Sequence, residues 1–105
     1  MKRLEAAELA AYLQQHRPRL IDVREAWEFE ICHIEGSELL PMGRIPEAVD
    51  ELQRETREIV LICHHGIRSR QVQLYLARCG IDHSINLEGG VDAWARTVDP
   101  DMPVY

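Results

Sequence analysis

Along the chain, apolar positions fall on a helical period, then a strand period, and the two take turns. Residues 5–15 set Ala6, Leu9, Ala10 and Leu13 on one face, which predicts an amphipathic helix closed by Pro18. Leu20-Ile21-Asp22-Val23 predicts a short strand and Glu25 to Ile31 a brief helix. Gly36 marks a turn, and Glu38-Leu39-Leu40 predicts a strand ended by Pro41. Pro46 suits the first turn of a helix that runs to about Arg54, with Ile45, Val49 and Leu52 in register. Glu58 to Ile62 is apolar through its centre, as expected of a strand covered on both faces. Ser69 to Cys79 is the clearest helix, with Val72, Tyr75, Leu76 and Cys79 as its buried stripe and Gly80 just past its end. Ser84 to Leu87 predicts a strand, Gly89-Gly90 a turn, and Val91, Trp94, Ala95 and Val98 a last short helical face. The tail from Asp99 to Pro103 is expected to be extended.

Strands alternating with helices predict an α/β fold with a mainly parallel sheet. In such sheets ligands bind beyond the carboxyl ends of the strands. Cys63 follows the carboxyl end of the most apolar strand, on the segment Cys63-His64-His65-Gly66-Ile67-Arg68 that leads into the Ser69 helix. Backbone N–H groups of such a loop converge on one point, and the helix N-terminus adds partial positive charge. That setting favours a thiolate, so Cys63 is the candidate nucleophile.

Composition narrows the reading. A chain of 105 residues makes one compact domain, expected over 1–105, and can bury a core without staples. Hydrophobic residues at 46% and charged residues at 29% fit a globular, ordered chain. The net charge of −6 argues against nucleic-acid binding, which needs a basic surface. Neither an apolar run long enough to span a bilayer nor an apolar signal core follows Met1-Lys2-Arg3-Leu4-Glu5, so a cytoplasmic location is expected. Three cysteines without a C-x-x-C pair point to reduced thiols rather than a disulfide scaffold.

Three blocks then resemble one family, the single-domain rhodaneses, which are sulfurtransferases. The first is Leu20-Ile21-Asp22-Val23-Arg24-Glu25 with Trp27-Glu28-Phe29 and His33-Ile34-Glu35-Gly36. The second is the Cys63–Arg68 loop with Ser69, and the third is Asn86-Leu87-Glu88-Gly89-Gly90 with Ala93-Trp94. Together they span residues 20 to 94 in the family's order and spacing. The resemblance implies a three-layer α/β/α fold around a mainly parallel sheet. It also implies that Cys63 attacks the sulfane sulfur of a donor such as thiosulfate, releases sulfite and holds the sulfur as a persulfide. A thiol or cyanide would then accept it, in a ping-pong scheme that needs no cofactor. The implied partners are a small sulfur donor and a thiol acceptor, including a sulfur-relay or thioredoxin-like protein.

The loop chemistry sets the roles to be tested. Lowering a thiol's pKa by about two units takes roughly 2.7 kcal/mol, and a helix dipole alone supplies about 0.3–1 kcal/mol in most settings. Loop N–H groups and nearby cations must supply the rest. Gly66 lets the backbone turn with its N–H groups inward. Arg68 either attracts an anionic donor or braces the loop through a salt bridge. His64 and His65 either donate to the leaving sulfite or sit at the loop rim. Ile67 belongs to the same loop, and Ser69, Asp22 and Arg24 are supporting residues, the latter two expected to tie loops together.

Four residues separate Cys63 from Arg68. Cysteine-dependent phosphatases of similar fold use five, so the smaller ring favours sulfur over phosphate. A non-catalytic binding or sulfur-relay module is the other reading, against which the intact Cys63 counts. The family often carries glycine where Cys32 stands, which leaves Cys32 either a resolving thiol for Cys63 or a small apolar residue packed below the loop. Cys79 is expected in the core, and Trp27 and Trp94 are expected as packing anchors. Cys32-His33 and Cys63-His64 raise the question of a metal. Adjacent loop residues rarely ligate together, so none is expected. Glu47, Asp50, Glu51, Glu55 and Glu58 read as a solvated acidic face.

Overall fold

A computed structural model describes residues 2–105 and leaves Met1 outside. Five parallel strands form one sheet in the order β1-β5-β4-β2-β3, with β1 at Lys2–Leu4, β2 at Arg19–Asp22, β3 at Glu38–Leu39, β4 at Ile59–Ile62 and β5 at Ser84–Leu87. The helices are α1 (Ala6–Tyr12), α2 (Ala26–Ile31), α3 (Ile45–Arg54), α4 (Ile67–Arg78) and α5 (Gly90–Thr97), with a 3₁₀ turn at Met42–Arg44 before α3.

Side-chain alternation in β4 divides the core in two. Val60 and Ile62 face a cluster with Leu20, Ile85, Leu87, Leu9 of α1 and Val91, Trp94 and Ala95 of α5. Ile59 and Leu61 face a second cluster with Ile21, Val23, Ile45 and Leu52 of α3 and Val72 and Leu76 of α4. All four β4 residues are fully buried, which explains a strand with no polar position. The result is the expected α/β/α sandwich, with β4 central and Cys63 at its carboxyl end.

Four details differ from the sequence reading. β1 was not expected: three residues are too few to show a period, and Lys2-Arg3-Leu4 reads as a polar start. The helix after Cys63 begins at Ile67, and its buried face is Ser69, Val72, Gln73 and Leu76. Gln73 lies inside because its Nε2 donates to Lys2 O and Ser84 O, while Tyr75 is exposed and Cys79 half-buried at the helix end. Trp94 packs in the core, but Trp27 is 61% exposed and meets Tyr105 edge-on at 6.1 Å. The tail is not extended throughout: Met102 N–H donates to Asp99 O, its side chain enters the core, and Tyr105 reaches the Cys63 end of the sheet.

The acidic face is also partly paired. Glu38, Glu51 and Glu55 converge on Arg19, and Glu58 accepts from Lys2 and Tyr12. Among the described residues no helix is long and apolar enough to cross a membrane.

Candidate active site

Cys63 is 1% exposed, and its Sγ is met by the N–H of Gly66 at 3.0 Å and of Ser69 at 3.3 Å. Ser69 Oγ lies 3.3 Å from the same sulfur and donates to Asn86 Oδ1. The N–H groups of His64, His65, Ile67 and Arg68 meet no backbone or side-chain acceptor among the described residues. Gly66 allows this turn: it has φ +95°, and a Cβ there would lie 3.0 Å from Gly89 N and 3.2 Å from Leu87 O. Asn86 Nδ2 holds the turn from below by donating to Gly66 O.

The loop's outward carbonyls are tied to α5. Val91 N–H donates to Cys63 O at 2.9 Å and Asp92 N–H to His64 O at 3.1 Å. Those bonds hold two of the loop's carbonyls on α5, while the Gly66 and Ser69 N–H groups reach the sulfur. This contact requires Gly90, where a Cβ would meet Cys63 O at 2.3 Å and His64 O at 2.4 Å. Gly89-Gly90 is thus more than a turn; Gly90 already begins α5.

Arg68 forms a two-pronged pair with Glu28 of α2, at 2.8 and 2.9 Å, and makes no hydrogen bond to the sulfur. Glu28 is 4% exposed, and it also accepts from Glu25 N–H and Tyr105 OH. Arg68 holds the Glu28 carboxyl down to about 2, against the opposing effect of burial. Glu28 in turn pushes the Arg68 pKa up.

Arg24 is fully buried and pairs with Asp22 through Nε and Nη2. Its remaining donors reach Cys32 O at 2.6 Å, Glu28 O at 3.3 Å and Tyr105 OH at 2.7 Å. Burial opposes its charge, but the bonds to Asp22 and Tyr105 outweigh that and raise its pKa. Asp22 serves Arg24, and Arg24 reaches α2 and Tyr105; neither is hydrogen-bonded to Cys63 Sγ.

The histidines differ. His64 is half-buried, stacked between His65 at 3.9 Å and Tyr105 at 3.8 Å, and its Nε2 is buried without a hydrogen-bond partner. Burial, and then the charge of His65, lower its pKa. His65 is exposed, and Ile67 is 70% exposed at the loop rim. Burial raises the Tyr105 pKa to about 12, so its hydroxyl stays a donor to Glu28.

Cys32 lies on the other face of the sheet from Cys63: it packs with Leu20, Val60 and Ile62, whereas Cys63 packs with Ile21, Leu61 and Val72. Its sulfur faces Arg24 Nη1 at 3.9 Å.

Glu28, Tyr105 and Asn86 complete the site without having been singled out by chemistry. Glu28 sits three residues after Glu25, the spacing of a helix-capping box, and that local role is present. Nothing in the sequence signals Tyr105 as a neighbour of His64.

A family model described as the rhodanese-like domain matches residues 5–97. The chain belongs to that family. A Staphylococcus aureus protein described as a rhodanese-like domain protein superposes with a TM-score of 0.82 at 31% identity, covering 100% of this chain and 99% of that one. The probable adenylyltransferase/sulfurtransferase MoeZ of Mycobacterium tuberculosis is 38% identical over 88 residues, 82% of this chain and 22% of its own length. The adenylyltransferase and sulfurtransferase MOCS3-1 of Zea mays is 34% identical over 92 residues, 82% of this chain and 20% of its own. This rhodanese-like domain therefore spans about a fifth of those two curated relatives.

Proposed function

We propose that this rhodanese-like domain transfers sulfane sulfur through a persulfide on Cys63. The observation that carries the reading is the placement of Sγ. It accepts from Gly66 and Ser69 N–H groups at the end of the central strand, where α4 begins. The remaining loop N–H groups supply donors for a second sulfur.

In the first half-reaction the Cys63 thiolate attacks the outer sulfur of a donor such as thiosulfate. The donor's S–S bond breaks, and sulfite leaves with the electron pair. The outer sulfur, now bound to Sγ and carrying the negative charge, lies in the ring of N–H groups. In the second half-reaction an acceptor thiolate attacks that sulfur, giving an acceptor persulfide and the free Cys63 thiolate; cyanide would give thiocyanate. The acceptor is a small thiol or a sulfur-relay protein in the cytoplasm.

The Arg68 geometry favours this over phosphoryl chemistry. A phosphate clamp needs the arginine fork free to face the anion, and here both prongs are spent on Glu28. Its role in the sulfur reading is to brace the loop. The two relatives named as sulfurtransferases support the same reaction class.

Incubation with thiosulfate followed by intact-mass measurement tests the proposal. Wild type gains one sulfur, about 32 Da, as a covalent intermediate, and Cys63→Ala gains none. Absence of the adduct with thiosulfate and with a protein persulfide donor would rule out turnover and leave the binding-module reading.

A further inference from the structure

The side of the loop that faces α5 carries a second group of ligand atoms. A ring nitrogen of His64, one of His65 and a carboxylate oxygen of Asp92 all lie within 4.8 Å of one another. Adjacent residues seldom ligate together, but here both rings lie on the same side of the loop, stacked at 3.9 Å, with a nitrogen of each within reach of Asp92. Asp92 comes from α5, and its own N–H donates to His64 O, so the backbone fixes it beside the histidines.

We propose that His64, His65 and Asp92 form a binding site for a divalent cation of the zinc class. Two imidazoles and one carboxylate are the donor set of three-ligand zinc sites that keep a fourth position for water. Imidazole nitrogen selects zinc, cobalt, nickel or copper over magnesium and calcium, which take oxygen. Ligand atoms around a tetrahedral zinc with bonds of about 2.0–2.1 Å stand roughly 3.4 Å apart. The three candidate atoms lie within 4.8 Å of one another, and coordination at that spacing requires the stacked His64 and His65 rings to splay until both lone pairs aim at one point.

Two observations bear on whether the ligands are available. His64 Nε2 is buried and unpartnered, and buried polar atoms of that kind ordinarily have a partner. Asp92 is held by Arg96 at 3.1 Å, but Arg96 is 65% exposed and the pair is an i,i+4 surface bridge that contributes little. A cation displaces it at small cost. Bound there, the cation clamps the Cys63 loop to the first turn of α5. The site shares this loop with the proposed sulfur chemistry and does not depend on it.

Zinc titration by calorimetry and thermal unfolding tests the site, in a Cys63→Ser background so that the thiol cannot ligate. One equivalent is expected to bind and to raise Tm. His65→Ala and Asp92→Asn each weaken binding by more than the roughly 10- to 100-fold loss typical of an outer-shell change. Absence of saturable binding, or undiminished binding in either variant, overturns the proposal. The latter would place zinc on other histidines such as His16, His33 or His83. Cobalt added to wild type gives a second readout: visible d–d bands without a thiolate charge-transfer band support the site. Bands showing thiolate ligation place the metal on cysteine and overturn it.

Discussion

Arg68 and Glu28 meet fork to fork, Nη1 to Oε1 at 2.8 Å and Nη2 to Oε2 at 2.9 Å, and so tie the first turn of α4 to the first turn of α2. The loop holding Cys63 ends at this bridge. Arg68→Ala would leave the buried Glu28 carboxylate with Tyr105 OH and Glu25 N–H as its donors. Breaking a fully buried pair costs about 3–5 kcal/mol. The Arg68 side chain is 34% exposed, so solvent screens it and the expected loss is smaller, about 1–3 kcal/mol. Arg68→Lys keeps the charge without the fork and should lose less. Urea unfolding measures both, and equal stability of Arg68→Ala and wild type would show that the bridge does not hold the loop.

The same pair sets a pH dependence. The Glu28 pKa lies at about 2 in the folded chain, below the value of about 4.3 for a free glutamate. Because the folded value is depressed, the stabilisation is fully present above about pH 4.5 and is lost as pH falls towards 2. Its size is of order 3 kcal/mol before screening at the exposed arginine end. Glu28→Gln should flatten this part of the stability curve. Chemical denaturation between pH 2 and pH 6 checks it, and parallel curves for the two proteins would refute the assignment.

Gly90 is where α5 touches the active-site loop most closely. Gly90→Ala would drive a methyl group into Cys63 O and His64 O at a backbone φ of +58°. Strain and overpacking each cost about 1–3 kcal/mol. The expected result is a loss of roughly 2 kcal/mol or more, with sulfur loading reduced further than stability because the loop carbonyls are displaced. Gly43→Ala is the control: nothing lies within 4 Å of its Cβ position, so its change should stay within about 0.5 kcal/mol. Similar losses in the two variants would contradict the close-contact argument.

How far the site could be read from sequence depended on the range of each interaction. Cys63, Gly66 and Ser69 sit within six residues of one another, and an apolar strand, a glycine and a helix start mark them locally. The buried strands were legible because β4 is an apolar run and β2 and β5 carry Leu20-Ile21 and the alternating Ile85 and Leu87 between turn signals. Glu28 and Tyr105 were not, because what makes them part of the site is contact with Arg68 and Arg24 across 40 and 81 positions. Gly90 was legible as a turn residue, but its decisive feature is a backbone contact with Cys63. Trp27 failed for a different reason: aromatic bulk predicts burial on average, and here the ring lies beside Tyr105 on the surface.

Tyr105 combines a stack on His64 with hydroxyl bonds to Arg24 and Glu28. Tyr105→Phe separates the two contributions by keeping the ring and deleting the hydroxyl. Hydrogen bonds to charged groups contribute about 1.5–3 kcal/mol each. Tyr105 is partly exposed, so water can take the place of the hydroxyl at both partners and the expected loss is about 1–3 kcal/mol in all. Tyr105→Ala should lose more and free His64 to reorient, visible as a shift and broadening of the His64 ring signals by NMR. Unchanged His64 signals in Tyr105→Ala would show that the stack does not form in solution.

Ser69 stands between the sulfur and Asn86, and its single hydroxyl proton must choose. Asn86 Nδ2 is committed to Gly66 O and Glu88 Oε1, so Asn86 Oδ1 faces Ser69 and takes the proton. A lone pair of Ser69 Oγ then faces Cys63 Sγ at 3.3 Å. That arrangement suits a neutral thiol, whose S–H donates to Oγ. A thiolate or persulfide anion instead needs the hydroxyl to rotate and donate to it. A hydrogen bond to a charged group contributes at least about 1.5 kcal/mol, or about tenfold in rate. Ser69→Ala should therefore slow persulfide formation from thiosulfate by about tenfold or more, while the backbone donors from Gly66 and Ser69 preserve residual activity. Stopped-flow or quenched mass measurement of sulfur loading reads the effect. A rate equal to wild type would mean that the hydroxyl stays on Asn86 and that backbone N–H groups alone carry the anion.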